Sequence, residues 1–183
     1  MPETKFPTEI IDIPSKGYFY PEKSPLSSGT VELKYMTAKD EDILTSQNLI
    51  AKGIVLDVLL SNLMVDKKIK VSDLLIGDKN ALLIAARVLA YGKNYEFELI
   101  SPVTGEPTTH NLDLTSLKDV PVDFSKMPKG QNEFEFTLPT SKRVIKYKLL
   151  TSGDVDDIDR LAKSLNKISD IDRTLTTRLK SMI

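Results

Sequence analysis

The hydrophobic pattern of the chain changes period at Gly92, and that change limits what the chain can fold into. Before it, apolar residues recur at helical spacing, most densely in "ALLIAARVLAY" (Ala81 to Tyr91). After it they alternate with polar ones, first in "NYEFELI" and "TTHNLDL", then in "EFEFTLP" and "RVIKYKLL". Each pair of runs flanks a turn, Pro-Val-Thr-Gly in one case and Pro-Thr-Ser-Lys in the other. The fold class is therefore α+β: an N-terminal extended arm (1–29), a mainly helical region (30–92), an antiparallel two-hairpin sheet (93–151) and a C-terminal helical segment (152–183). Phe97 and Leu99 share one face of the first hairpin, and Phe134, Phe136 and Leu138 one face of the second, which gives the sheet one apolar side.

The arm "FPTEIIDIPSKGYFYPEKSPLSSG" holds four of the ten prolines, so it reads as an extended arm or irregular wrap and not as a helix. Ile10, Ile11, Ile13, Tyr18, Phe19 and Tyr20 still need a place to bury, on the domain itself or on a partner. "TVELKYM" is a strand from Thr30 to Met36. Thr37 caps the helix that follows, with Asp40 at the reciprocal position, and that helix is expected to run through Ile43, Leu44 and Leu49 to Gly53. The acids Asp40, Glu41 and Asp42 read as solvated first-turn residues at the positive end of the helix, in preference to a divalent-ion site. "IVLDVLLSNLMV", from Ile54, is apolar on most faces, as in a core or interface helix. Asp78 is the expected cap of a helix from Asn80 to Tyr91, and Gly92 its terminator.

From Gly153 the apolar residues Ile158, Leu161, Leu165, Ile168, Leu175, Leu179 and Met182 follow a 3-4 spacing broken by Asp172. "DVDDID" lacks the glycine and glutamate of a calcium loop and reads as first-turn acids. The pattern ends at Met182-Ile183 without a Gly or Pro stop, which leaves room for a natural chain that continues. There is no internal repeat and no low-complexity tract.

Composition narrows the chemistry. The 183 residues include no cysteine, which removes disulfides, thiolate metal sites and cysteine nucleophiles and fits synthesis in a reducing cytoplasm. Twenty-five Lys+Arg against 26 Asp+Glu give a net charge of −1, too little to draw the chain onto nucleic acid or an anionic membrane. The only tight basic cluster of its region, "KKIK", has no aromatic neighbours. The longest apolar run falls well short of the roughly 20 residues of a membrane span, and no secretory signal opens the chain. Nucleophile elbow, phosphate loop, dinucleotide turn and His-Glu-x-x-His are all missing. His110, the single histidine, reads as an ordinary polar residue of a strand.

Four stretches carry a resemblance: "PSKGYFYPEKSPLSSGTVELKYMTAKDEDILTSQNLIAKG", "DLLIGDKNALLIAARVLAYGKNYEFELISP", "EFEFTLP" and "TTRLKSMI". Together they resemble the baseplate hub and hub-assembly proteins of T-even-like contractile-tailed bacteriophages, most specifically in "KYMTAKDEDIL" and "LLIGDKNALLIAARVLAYG". The resemblance implies a structural or assembly component of the baseplate hub, located in the virion tail and, during assembly, in the host cytoplasm. Its partners would be other hub proteins, with self-association a further option, and it implies no enzyme activity, no cofactor, no nucleic acid and no membrane. A transient assembly chaperone and a nucleic-acid module built on a zinc-ribbon-like hairpin are the alternatives. The family often carries Cys-Pro-x-Cys-Gly where this chain has Ser101-Pro102-Val103-Thr104-Gly105, so the resemblance implies a degenerate knuckle; hydroxyls are poor zinc ligands, and a metal-free hairpin is expected. The candidate partner-binding residues are Tyr18, Phe19 and Tyr20 in the arm and Ile158, Leu161, Leu165, Ile168, Leu175 and Leu179 in the stripe.

Overall fold

The computed structural model describes residues 6–166 and 173–183. In chain order they form β1 (Thr8–Asp12), β2 (Thr30–Lys34), α1 (Ala38–Leu44), α2 (Gln47–Lys52), α3 (Val55–Leu63), α4 (Ile76–Tyr91), β3 (Asn94–Ile100), β4 (Pro107–Asp113), β5 (Phe134–Thr137), β6 (Val144–Tyr147), α5 (Ser152–Asn166) and α6 (Thr174–Met182). The class is α+β, as the change of period at Gly92 implies. The strands pair as β1–β2, β3–β4 and β5–β6 in three separate two-stranded sheets, so the two later hairpins do not join into one.

Two compact units share the chain. The first draws on the stretch up to Ile11, on Glu32–Val65 and on Ala81–Val122; the second on Asp12–Val31, Asp66–Asn80 and the stretch from Asp123 onward. In the first unit the inner face of α3 buries Leu59, Leu60 and Leu63, and Leu33 of β2 is fully buried and bridges to Met64. Leu82 and Ala86 of α4 are buried as well, whereas Leu56 on the other side of α3 is exposed, so this helix has an inner and an outer face.

The second unit is organised by the arm. Ile13 N–H donates to Gly29 O at 3.0 Å, and Gly17 and Gly29 both have positive φ (+73° and +80°). A Cβ on Gly17 would lie 2.5 Å from Ser27 O, and one on Gly29 2.8 Å from Lys16 O, so only glycine lets the two ends of this loop come so close. Ile13, Leu26 and Val31 are buried, together with Leu74, Leu150, Ile158 and Ala162. Thr151 bridges to Leu75, and α6 returns along α5, its Met182 O accepting from Lys148 N at 2.8 Å.

Two local readings need correction. The helix expected from Thr37 to Gly53 is broken at Thr45–Ser46: the Thr45 hydroxyl donates to Glu41 O at 3.1 Å, and Ser46, extended at ψ 105°, starts α2 by accepting from Leu49 N. Hydroxyl side chains compete with the helical ladder in this way. Helix α4 starts at Ile76 and not at Asn80, so Asp78 lies inside its first turn and caps nothing; Gly92 does close it, at φ +81°. Within the extended arm one stretch, β1, is a regular strand, set between Pro7 and Pro14.

Candidate functional site

The arm aromatics form one side-chain cluster with Phe124 and Phe134 in the second unit. Phe19 and Tyr20 are only 7% and 6% exposed. Phe19 meets Phe124 and Phe134 at centroid distances of 5.8 and 5.5 Å, and Tyr18 meets Phe124 at 5.1 Å while its hydroxyl donates to Met127 O. Beside them Asp78 is 1% exposed and accepts three hydrogen bonds: from Ser15 N at 2.9 Å, Ser15 Oγ at 2.7 Å and the Tyr20 hydroxyl at 2.6 Å. The same hydroxyl accepts from Leu75 N at 2.8 Å. Burial, and then the bond to Asp78, pushes the Tyr20 phenol well above its ordinary range, so it stays a neutral donor. The candidate residues Phe19 and Tyr20 are thus buried within their own unit, and Tyr18 is half-buried beside them.

Each unit also contains one copy of a short motif, Lys-x-x-Thr-x-x-Asp, where a strand passes into a helix; reading along the chain finds the Thr37–Asp40 pair of the first copy but not its lysine or its recurrence. In the first, Asp40 accepts from Thr37 N and Oγ1 at 2.8 and 2.6 Å, with Asn62 on its other oxygen and Lys34 Nζ at 3.7 Å. In the second, Asp154 accepts from Thr151 N and Oγ1, both at 3.0 Å, and pairs with Lys148 at 2.7 Å. Burial pushes both carboxyls up, but the bonds from Thr37, Lys34 and Asn62 at Asp40, and from Lys148 and Thr151 at Asp154, outweigh it and hold both below the usual carboxylate range. The identical spacing of Lys34/Thr37/Asp40 and Lys148/Thr151/Asp154 was the available signal.

The β3–β4 hairpin carries several exposed apolar side chains. Tyr95, Phe97 and Leu99 lie opposite Leu112, His110 and Thr108 on one face. Phe97 stacks on His110 at 5.7 Å and Tyr95 packs on Phe97 at 5.8 Å. Arg87 of α4 covers the Tyr91 ring at 4.6 Å and the Tyr95 ring at 5.7 Å. Leu99, Ile100 and Val103 remain 52%, 73% and 91% exposed. At the tip Ser101 Oγ accepts from Val103 N and Thr104 N, Thr104 Oγ1 accepts from Glu106 N, and Gly105 turns at φ +72°. The two hydroxyls at the knuckle spacing therefore hold the turn itself. Among the described residues no group of three or more histidine or acidic side chains could hold a metal ion, and no helix is long and apolar enough to cross a membrane.

The C-terminal stripe lies on two helices. Ile158 is buried with Ala162, Leu165 is half-buried, and Leu161, Leu175 and Leu179 are exposed; Ile168 and Asp172 lie outside the described residues. The chain belongs to a family of structural phage proteins: the family model described as T4 bacteriophage base plate protein matches residues 18–180, nearly its whole length. It is accordingly a phage baseplate component, associated with other baseplate proteins in the virion tail, and its family speaks for a non-enzymatic role. No curated protein and no solved structure matches the chain.

Proposed function

We propose that the protein is a structural or assembly component of the baseplate hub that acts through protein–protein contacts. The observation that carries this reading is the distribution of apolar surface in a chain of baseplate family. The arm aromatics are buried, while the β3–β4 hairpin and the outward residues Leu161, Leu175 and Leu179 keep large apolar groups in water. These three leucines and the hairpin are the contact residues of this reading, whereas Phe19, Tyr20 and Ile158 are buried within their own unit and Tyr18 half-buried beside them. Mass spectrometry of purified virions beside assembly intermediates tests it. The protein is expected in both; presence in intermediates alone would make it an assembly chaperone, and absence from both would overturn the reading. Leu175→Asp with Leu179→Asp should leave circular dichroism unchanged and abolish co-purification with hub proteins.

A further inference from the structure

The register of the β3–β4 hairpin fixes which backbone groups face outward. Ser101 N donates to Glu106 O and Leu114 N to Lys93 O, so 93/114 and 101/106 are hydrogen-bonded pairs at the two ends of the ladder. Antiparallel pairs alternate, so Tyr95, Phe97 and Leu99 bond across to β4 while the N–H and C=O of Asn94, Glu96, Glu98 and Ile100 point away from it. Among the described residues none of these outward groups has a hydrogen-bond partner. The outer edge of β4 is less available: Pro107 has no N–H to offer, and Asp113 O is taken by the Ser116 hydroxyl at 2.6 Å. A two-stranded sheet is marginal by itself, and a long free edge is a template for another strand.

We infer that the outer edge of β3 accepts an extended segment of another baseplate protein as a third strand, and that this segment alternates basic with apolar residues. Backbone pairing would supply the affinity and side-chain alternation the specificity. Asn94, Glu96, Glu98 and Ile100 share one face of β3, so an added strand there must meet two carboxylates; Tyr95, Phe97 and Leu99 on the other face favour apolar neighbours. Pairing of β3 with β3 of a second copy would set glutamate against glutamate, which disfavours self-association at this edge. The inference rests on the reading of the chain as a contact protein, and names the kind of contact.

The full chain would be titrated with a blocked ten-residue peptide alternating lysine and valine, followed by fluorescence anisotropy and by hydrogen exchange. Binding is expected, with protection gained at the amides of Glu96 and Glu98. Methylating the alternate peptide nitrogens that would face β3 should abolish it. Glu98→Pro removes only an outward donor and should weaken binding at least tenfold, and Glu96→Lys with Glu98→Lys should reverse the preference toward a glutamate–valine peptide. Absence of binding, equal binding of the methylated peptide, or binding without protection at Glu96 and Glu98 would each overturn the inference. If Glu98→Pro does not fold, the methylated peptide and the charge reversal still decide. None of these results depends on whether the protein is found in virions, so failure of the strand inference and failure of the hub reading are separate outcomes.

Discussion

Hairpins β3–β4 and β5–β6 are written alike, with aromatic and aliphatic residues at every second position, yet the fold treats them differently. In β5–β6, Phe134 packs on Phe19 and Tyr147 at 5.5 and 5.3 Å. The Asn132 side chain accepts from Leu149 N and donates to Leu149 O, both at 2.8 Å, in the manner of an extra strand residue, and Lys148 N is taken by Met182 O. In β3–β4 the outer edge of β3 and most side chains meet water. The difference teaches that apolar alternation specifies a hairpin but not its role: β5–β6 docks its Phe134–Tyr147 end against the arm aromatics while Phe136 and Val144 stay exposed toward its turn, and β3–β4 presents a surface along its length.

The largest test of that contrast is truncation of the arm aromatic packed on β5 beside truncation of an aromatic of β3. Phe19→Ala, which empties the cluster beside β5, should cost about 3–5 kcal/mol and lower the Tm sharply. Phe97→Ala, half-exposed on β3, should cost no more than the roughly 1.5 kcal/mol of an aromatic pair. Equal losses in denaturant titrations would erase the distinction between a docked and an open hairpin.

A smaller effect is expected from Tyr20→Phe. The change leaves Leu75 N without its acceptor and Asp78 with one donor fewer, a loss of about 1–3 kcal/mol for unsatisfied buried groups. Chemical denaturation of the purified variant measures it, and hydrogen exchange should show the loss concentrated in the second unit and not in β3–β4.

Acid sharpens the comparison next. The Asp113 carboxyl, at the end of β4, is lowered to about 2 by the Thr115 hydroxyl, Lys93 and the Thr115 amide. Asp40 and Asp154 are lowered as well. A carboxyl with a lower pKa in the folded state binds its proton more weakly there than in the unfolded chain. Its contribution is therefore complete above the ordinary value of about 4 and lost as the pH falls through the folded value. Carbon-detected NMR titration should find the Asp113 midpoint near 2, and thermal melts should hold steady from neutral pH to about pH 5 and then decline. A midpoint near 4 would mean that Lys93 and Thr115 do not hold the carboxylate.

The smallest effect is expected at the hairpin tip. Val103 is 91% exposed, and Val103→Thr should change stability by less than about 0.5 kcal/mol. A larger loss in a thermal melt would show that the tip is packed in solution.

Much of this architecture is a property of neighbouring residues and was legible before any fold was known. The period change at Gly92, the reciprocal Thr37–Asp40 contact, the glycine stop of α4 and both hairpin turns depend on groups within a few positions of one another. The break at Thr45–Ser46 was legible in principle, since two hydroxyl residues in mid-helix invite local bonding. Asp78 was not. Its carboxylate reads as a helix cap because the chain nearby offers nothing else for it, while its real partner Ser15 lies 63 positions away.

The sequence by itself determined most of the elements, the class and, through the family it matches, a baseplate role, because periodicity, capping and turn chemistry act over short distances along the chain. Only the tertiary structure decided which apolar groups would be core and which surface. Phe19 and Leu99 are equally hydrophobic in a sequence, but burial depends on the surface that arrives opposite, and that is set by contacts between segments far apart in the chain. For the same reason the free edge of β3 could not be read from its letters: a strand is open or covered according to what else the fold brings beside it.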